Sequence, residues 1–137
     1  MEWNVQWIRP ARDMGDVCPT FSVEFSCKEK VKSAILKVTA IGVYEALLNS
    51  TRIGEFVMAP GWTAYQKRLQ VQEYDVTDWV NDENKLEITV GKGWYRSPLA
   101  SWARSELQEI LAAFSAGLTA ELILHLADGT KQVIGTD

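Results

Sequence analysis

The stretch LTAELILHLADG, residues 118–129, decides the fold. Leu118, Ala120, Leu122, Leu124 and Leu126 take every second position, and Thr119, Glu121, Ile123 and His125 fill the places between. A period of two is that of a β-strand, whose successive side chains point to opposite faces. An apolar face set against a more polar one marks an antiparallel strand with one side on a core and the other toward water. Asp128-Gly129-Thr130 then reads as a hairpin turn, returning a last strand over residues 131–134.

The alternation recurs upstream. Phe21, Val23, Phe25 and Cys27 alternate with Ser22, Glu24 and Ser26; Ala34, Leu36, Val38 and Ala40 share one face of VKSAILKVTA; Leu86, Ile88 and Val90 share one face of NKLEITV. IGVYEALLNSTRIGEF, residues 41–56, reads as a hairpin reversing at Asn49-Ser50, with a short return strand closed by Gly54. Several such strands separated by turn signals predict an all-β, two-sheet antiparallel sandwich. One segment breaks the period. In SELQEILAAFSAG, Leu107, Ile110, Leu111 and Phe114 fall at helical spacing, Ser105 and Gln108 fit a capping box, and Gly117 suits a helix stop, which predicts a short helix near 106–114.

At 137 residues the chain is expected to form a single domain, residues 1–137, able to bury a core without disulfides or metal. Its net charge of −4 and lack of a basic stripe argue against a nucleic-acid partner. No apolar run reaches the roughly 18–20 residues of a membrane span, and the start MEWNVQWIRPARDMGD lacks the apolar core of a signal peptide, so a cytoplasmic location is expected. Cys18 and Cys27 have neither metal-site nor redox spacing and read as two reduced thiols.

Candidate chemistry is sparse. Asp75 and Asp78 lie in YDVTD, where Asp75 and Thr77 are expected to bond nearby backbone N–H groups and shape a strand exit. His125, the single histidine, lies on the polar face without a partner ligand, so neither a metal site nor a hydrolytic triad is assigned to it. No phosphate-binding glycine loop occurs, and no cofactor is expected. The aromatics remain. Trp62 and Tyr65 follow the Pro60-Gly61 turn, and Trp94, Tyr95 and Arg96 follow a glycine-rich strand end. Such rings can cap a sandwich and fix its loops. They can also stack on the C–H faces of a sugar while Arg96 and Asn49 supply hydrogen bonds. The carbohydrate-binding candidates are therefore Trp62, Tyr65, Trp94, Tyr95, Arg96 and Asn49.

In this order, VQWIRP near the start, residues 44–80 with the APGWT-Y turn and YDVTD, NKLEITVGKGWYRSPL with its GWYR loop, and ADGTKQVIGTD at the end together resemble the N-terminal β-sandwich module of bacterial alpha-L-rhamnosidases. The resemblance covers nearly the whole chain. It implies a jelly-roll, galactose-binding-like sandwich that is a piece of a larger multidomain enzyme. It implies a parent that hydrolyses terminal L-rhamnose with inversion, using paired carboxylates in a separate helical barrel. The chain itself is then a non-catalytic accessory domain whose partners are the other domains of the parent and a rhamnose-containing carbohydrate. Two further readings stand beside it: an autonomous module for rhamnosyl or galactosyl sugars, and a jelly roll from another glycoside hydrolase. Some related modules bind rhamnose with calcium. Here Lys92 and Ala64 stand where relatives carry oxygen ligands, so no metal site is predicted.

Overall fold

The computed structural model describes residues 5–12, 17–55, 58–61, 70–91 and 117–137. They form two four-stranded antiparallel sheets. The first takes the order β1-β6-β3-β4, from β1 (Thr20–Ser26), β3 (Val43–Leu48), β4 (Thr51–Arg52) and β6 (Glu83–Gly91). The second takes the order β5-β2-β7-β8, from β2 (Val31–Ile41), β5 (Gln72–Asp75), β7 (Gly117–Leu126) and β8 (Lys131–Gly135). The expected all-β sandwich is the observed fold. The predicted helix near 106–114 lies outside the described residues. Among those residues no helix is long and apolar enough to cross a membrane.

The alternating residues form the core. Ala34, Leu36, Val38 and Ala40 of β2 are fully buried and face Leu118, Leu122 and Leu124 of β7 within the same layer. Leu86, Ile88 and Val90 of β6 close on them from the other sheet, with Tyr44, Ala46 and Leu48 of β3 beside them. At roughly 25 cal/mol per Å² of apolar surface removed from water, this interleaved layer is the main stabilising element.

Turn chemistry fixes the registers. Asn49 (φ 51°) and Ser50 (φ 67°) both take the left-handed conformation that a two-residue hairpin demands. Gly54 (φ 74°) is required twice over, by its backbone and because a Cβ there would stand 2.5 Å from the ring of Tyr74.

In one respect the outer face of the second sheet differs from expectation. Thr119 and Glu121 point away from the core, as their parity predicts, yet they are only 5% and 4% exposed. The entering segment explains part of this cover. Ile8 bridges Leu118, Gln6 N–H donates to the Thr136 carbonyl at 2.9 Å, and the side chain of Val5 lies where a Cβ on Gly135 would stand, directly opposite Glu121 in the ladder. His125, at the far end of the same face, is exposed.

Candidate functional site

The strands sort the candidate residues by end. β3 runs from Val43 at the end called upper here to Leu48 at the lower end, and β6 returns from Glu83 to Gly91. At about 3.4 Å per residue the nine residues of β6 set those ends roughly 27 Å apart.

Two long connections leave from the upper end, and one short stretch holds both. Thr39 Oγ1 donates to the Gln70 carbonyl at 2.8 Å, and Tyr44 bridges Ala59, so Thr39 and Tyr44 flank both ends of the connection carrying Trp62 and Tyr65. Ile41 pairs with Gly117 and Val43 with Gly91, so the same stretch holds both ends of the connection carrying Trp94, Tyr95 and Arg96. Those five residues themselves lie outside the described ones. Their flanks all emerge from residues 39–44.

Beneath this end runs a hydrogen-bonded chain that sequence reasoning missed. The Tyr74 hydroxyl meets the Tyr44 hydroxyl at 2.9 Å, Tyr44 donates to Gln72 Oε1 at 2.9 Å, and Gln72 Nε2 donates to the Pro60 carbonyl at 3.2 Å. It ties one sheet to the other and to the turn preceding Trp62. Burial, reinforced by the bond to Tyr74, lifts the Tyr44 phenol far above its ordinary range, so it stays a neutral donor. The signal in the sequence was a tyrosine on the apolar face of β3, which needs a partner for its hydroxyl when buried.

Asn49 sits at the opposite end, and the structure does not bring it together with the roots of the aromatic connections. Its Nδ2 donates to the Trp79 carbonyl (2.8 Å) and to Asn84 Oδ1 (2.9 Å), and its Oδ1 accepts from Lys85 N–H (2.9 Å). Asn84, 5% exposed, also accepts from Asn81 N–H and donates to the Asn81 carbonyl, both at 2.7 Å. This cluster staples the hairpin to the 3-10 turn at Thr77–Trp79. Nearby, Asp75 Oδ1 accepts from the backbone and hydroxyl of Thr77, as expected, and that hydroxyl in turn accepts from Ala34 N–H. Asp128 and Thr130 repeat the arrangement at the β7–β8 turn. The hydroxyl bond, then the backbone bond, hold both carboxyls below the usual carboxylate range. Among the described residues no group of three or more His, Cys, Asp or Glu could hold a metal ion.

Residues 29–137 match the family described as the alpha-L-rhamnosidase N-terminal domain. The chain belongs to that family. The reading as a jelly roll of an unrelated glycoside hydrolase falls with this match. Relatives of the rhamnosidase module carry it as a small part of themselves. Over 107 residues it is 42% identical to an alpha-L-rhamnosidase of Streptomyces avermitilis, covering 77% of this chain and 10% of that protein. The native alpha-L-rhamnosidase of Aspergillus terreus superposes with a TM-score of 0.82 at 35% identity, over 98% of this chain and 16% of that one. The Streptomyces avermitilis enzyme complexed with L-rhamnose superposes with a TM-score of 0.73 at 37% identity, over 86% and 11%.

Proposed function

We infer that this chain is the accessory module of an alpha-L-rhamnosidase that hydrolyses terminal L-rhamnose with inversion. It packs on neighbouring domains of its parent, and its upper end contributes to substrate recognition. The observation that carries this reading is the common root of the two aromatic connections on residues 39–44, at one end of a sandwich whose other end is closed by tight turns. The catalytic carboxylates belong elsewhere in the parent. Asp75 and Asp128, the carboxylates with the most marked surroundings here, are engaged in turns. The test is purified chain with a chromogenic aryl rhamnoside, which should show no turnover above buffer. Turnover that copurifies with the chain and disappears in an acidic-residue variant would overturn it.

The same common root favours a second reading, in which Trp62, Tyr65, Trp94, Tyr95 and Arg96 form a sugar site that works without the parent. Trp62→Ala separates the two. If Trp62 fixes the loop, the variant loses about 3–5 kcal/mol of stability. If it serves only to stack on sugar, the urea midpoint stays and calorimetric binding of rhamnose is lost.

A further inference from the structure

The two long connections share a root but are held in different ways. At the ends of the connection between β6 and β7, Val43 pairs with Gly91 and Ile41 with Gly117 through the backbone ladder. The turn at residues 58–61, which leads into the other connection, is held by more. Tyr44 N–H donates to the Ala59 carbonyl at 2.8 Å, Gly61 N–H donates to the Met58 carbonyl at 2.9 Å, and Gln72 Nε2 donates to the Pro60 carbonyl at 3.2 Å. Met58 is kept at φ 61°, where a side chain crowds its own backbone. Such strain persists only where the surroundings over-determine the backbone, and it clusters at functional sites.

Gln72 is the side chain that packing does not require. It pairs with the fully buried Val38 and reaches inward to the Tyr44 hydroxyl, a place where an apolar side chain would serve the core. The 2.9 Å bond between the Tyr44 and Tyr74 hydroxyls already joins the two sheets. What the amide adds is its bond to Pro60, itself fully buried. A carbonyl can only accept, so the amide nitrogen faces Pro60 and the amide oxygen faces Tyr44. Tyr44 thereby anchors the amide, and the amide anchors the peptide one residue ahead of Trp62. Gly61 (φ 94°) has no side chain to hold its own conformation, so bonds from neighbours set the direction in which the chain leaves the turn.

We propose that Gln72 is a positioning residue for substrate recognition: its amide fixes the Pro60 carbonyl and so aims the chain that runs on to Trp62. This rests on the reading above in which the upper end contributes to recognition. It is tested by steady-state kinetics of the parent enzyme on a chromogenic aryl rhamnoside, with urea midpoints measured alongside. Gln72→Met keeps the bulk and removes both hydrogen bonds. It should raise KM about three- to tenfold, the worth of one hydrogen bond, and leave kcat unchanged, because binding is lost and the catalytic carboxylates are untouched. Tyr44→Phe takes away the anchor but leaves the amide its bond to Pro60, and should raise KM less. Asn84→Ala loosens the opposite end and should leave KM unchanged while lowering the urea midpoint. Trp62→Leu probes the underlying reading. A raised KM in Trp62→Leu with an unchanged KM in Gln72→Met overturns the positioning role alone. An unchanged KM in Trp62→Leu overturns the recognition reading and the positioning role with it. Equal KM shifts in Gln72→Met and Asn84→Ala, or a fall in kcat at constant KM, show general loosening and overturn the proposal. If Gln72→Met does not fold, an unchanged KM in Tyr44→Phe overturns it.

Discussion

At the lower end of the sandwich the chain turns on Asn49-Ser50 and on two Asp-X-Thr motifs, and every polar group named there is answered by another a few residues or one strand away. At the upper end the stretch between β6 and β7 exceeds the roughly 12–15 residues of ordinary connections, and its two ends, like Ala59 and Gln70 that flank the other connection, are held by residues 39–44. The lower end is held by bonds among its own groups, from Asn49 to Asn84 and from Asp75 and Asp128 to the threonines two residues on. The upper end is braced from below by the hydrogen-bonded chain from Tyr74 to Pro60. Rigid scaffold beneath long connections is the usual arrangement for recognition.

The largest expected effect removes the difference between the ends. Leu36 is fully buried and contacts both layers' core, so Leu36→Ala should cost about 2–5 kcal/mol and shift the urea midpoint of the whole chain. Next, Asn84→Ala strips partners from the Asn49 side chain and from the N–H and carbonyl of Asn81. It should cost about 1–3 kcal/mol, with faster amide exchange at residues 49 and 81–85 and none added around Tyr44. Tyr44→Phe does the reverse. Losing the hydroxyl leaves Gln72 and Tyr74 without their shared partner and should cost about 1–2 kcal/mol, with exchange rising at Ala59 and Gly61. If both variants loosened both ends equally, the distinction drawn here would fail.

The smallest effect is a pH dependence of the lower end. Asp75 and Asp128 have folded pKa values below their unfolded ones. Their contribution is therefore complete above the unfolded value of about 3.9 and is lost as pH falls through the lowered folded values. Urea midpoints should decline over that acid range, and the combined Asp75→Asn and Asp128→Asn variant should decline less steeply. An identical slope in the variant would show that other groups carry the acid response.

What the sequence disclosed was local. Period-two runs placed β1, β2, β6 and β7 on their correct faces, and the Asn49-Ser50 and Asp75-Thr77 signals depend on neighbours two residues away. What it withheld was non-local. Tyr44 meets Tyr74 across 30 residues of chain, and Cys27 meets Asn84 across 57. No spacing rule announces such pairs, because they exist only once the sheets have stacked. Glu121 shows the same limit: strand parity named its direction, whereas its burial depends in part on Val5, more than a hundred residues earlier. Asn49 is expected from the sequence both as a turn residue and as a sugar contact. The turn is observed, and its bonds tie it to the end opposite the roots of the aromatic connections.

Gly42, with φ 125°, is the single residue between β2 and β3, and there the chain steps from one sheet to the other. The stretch that roots both long connections is therefore also the hinge pin of the two layers. A side chain at position 42 would meet a backbone angle that L residues rarely adopt and would disturb the roots of both connections at once.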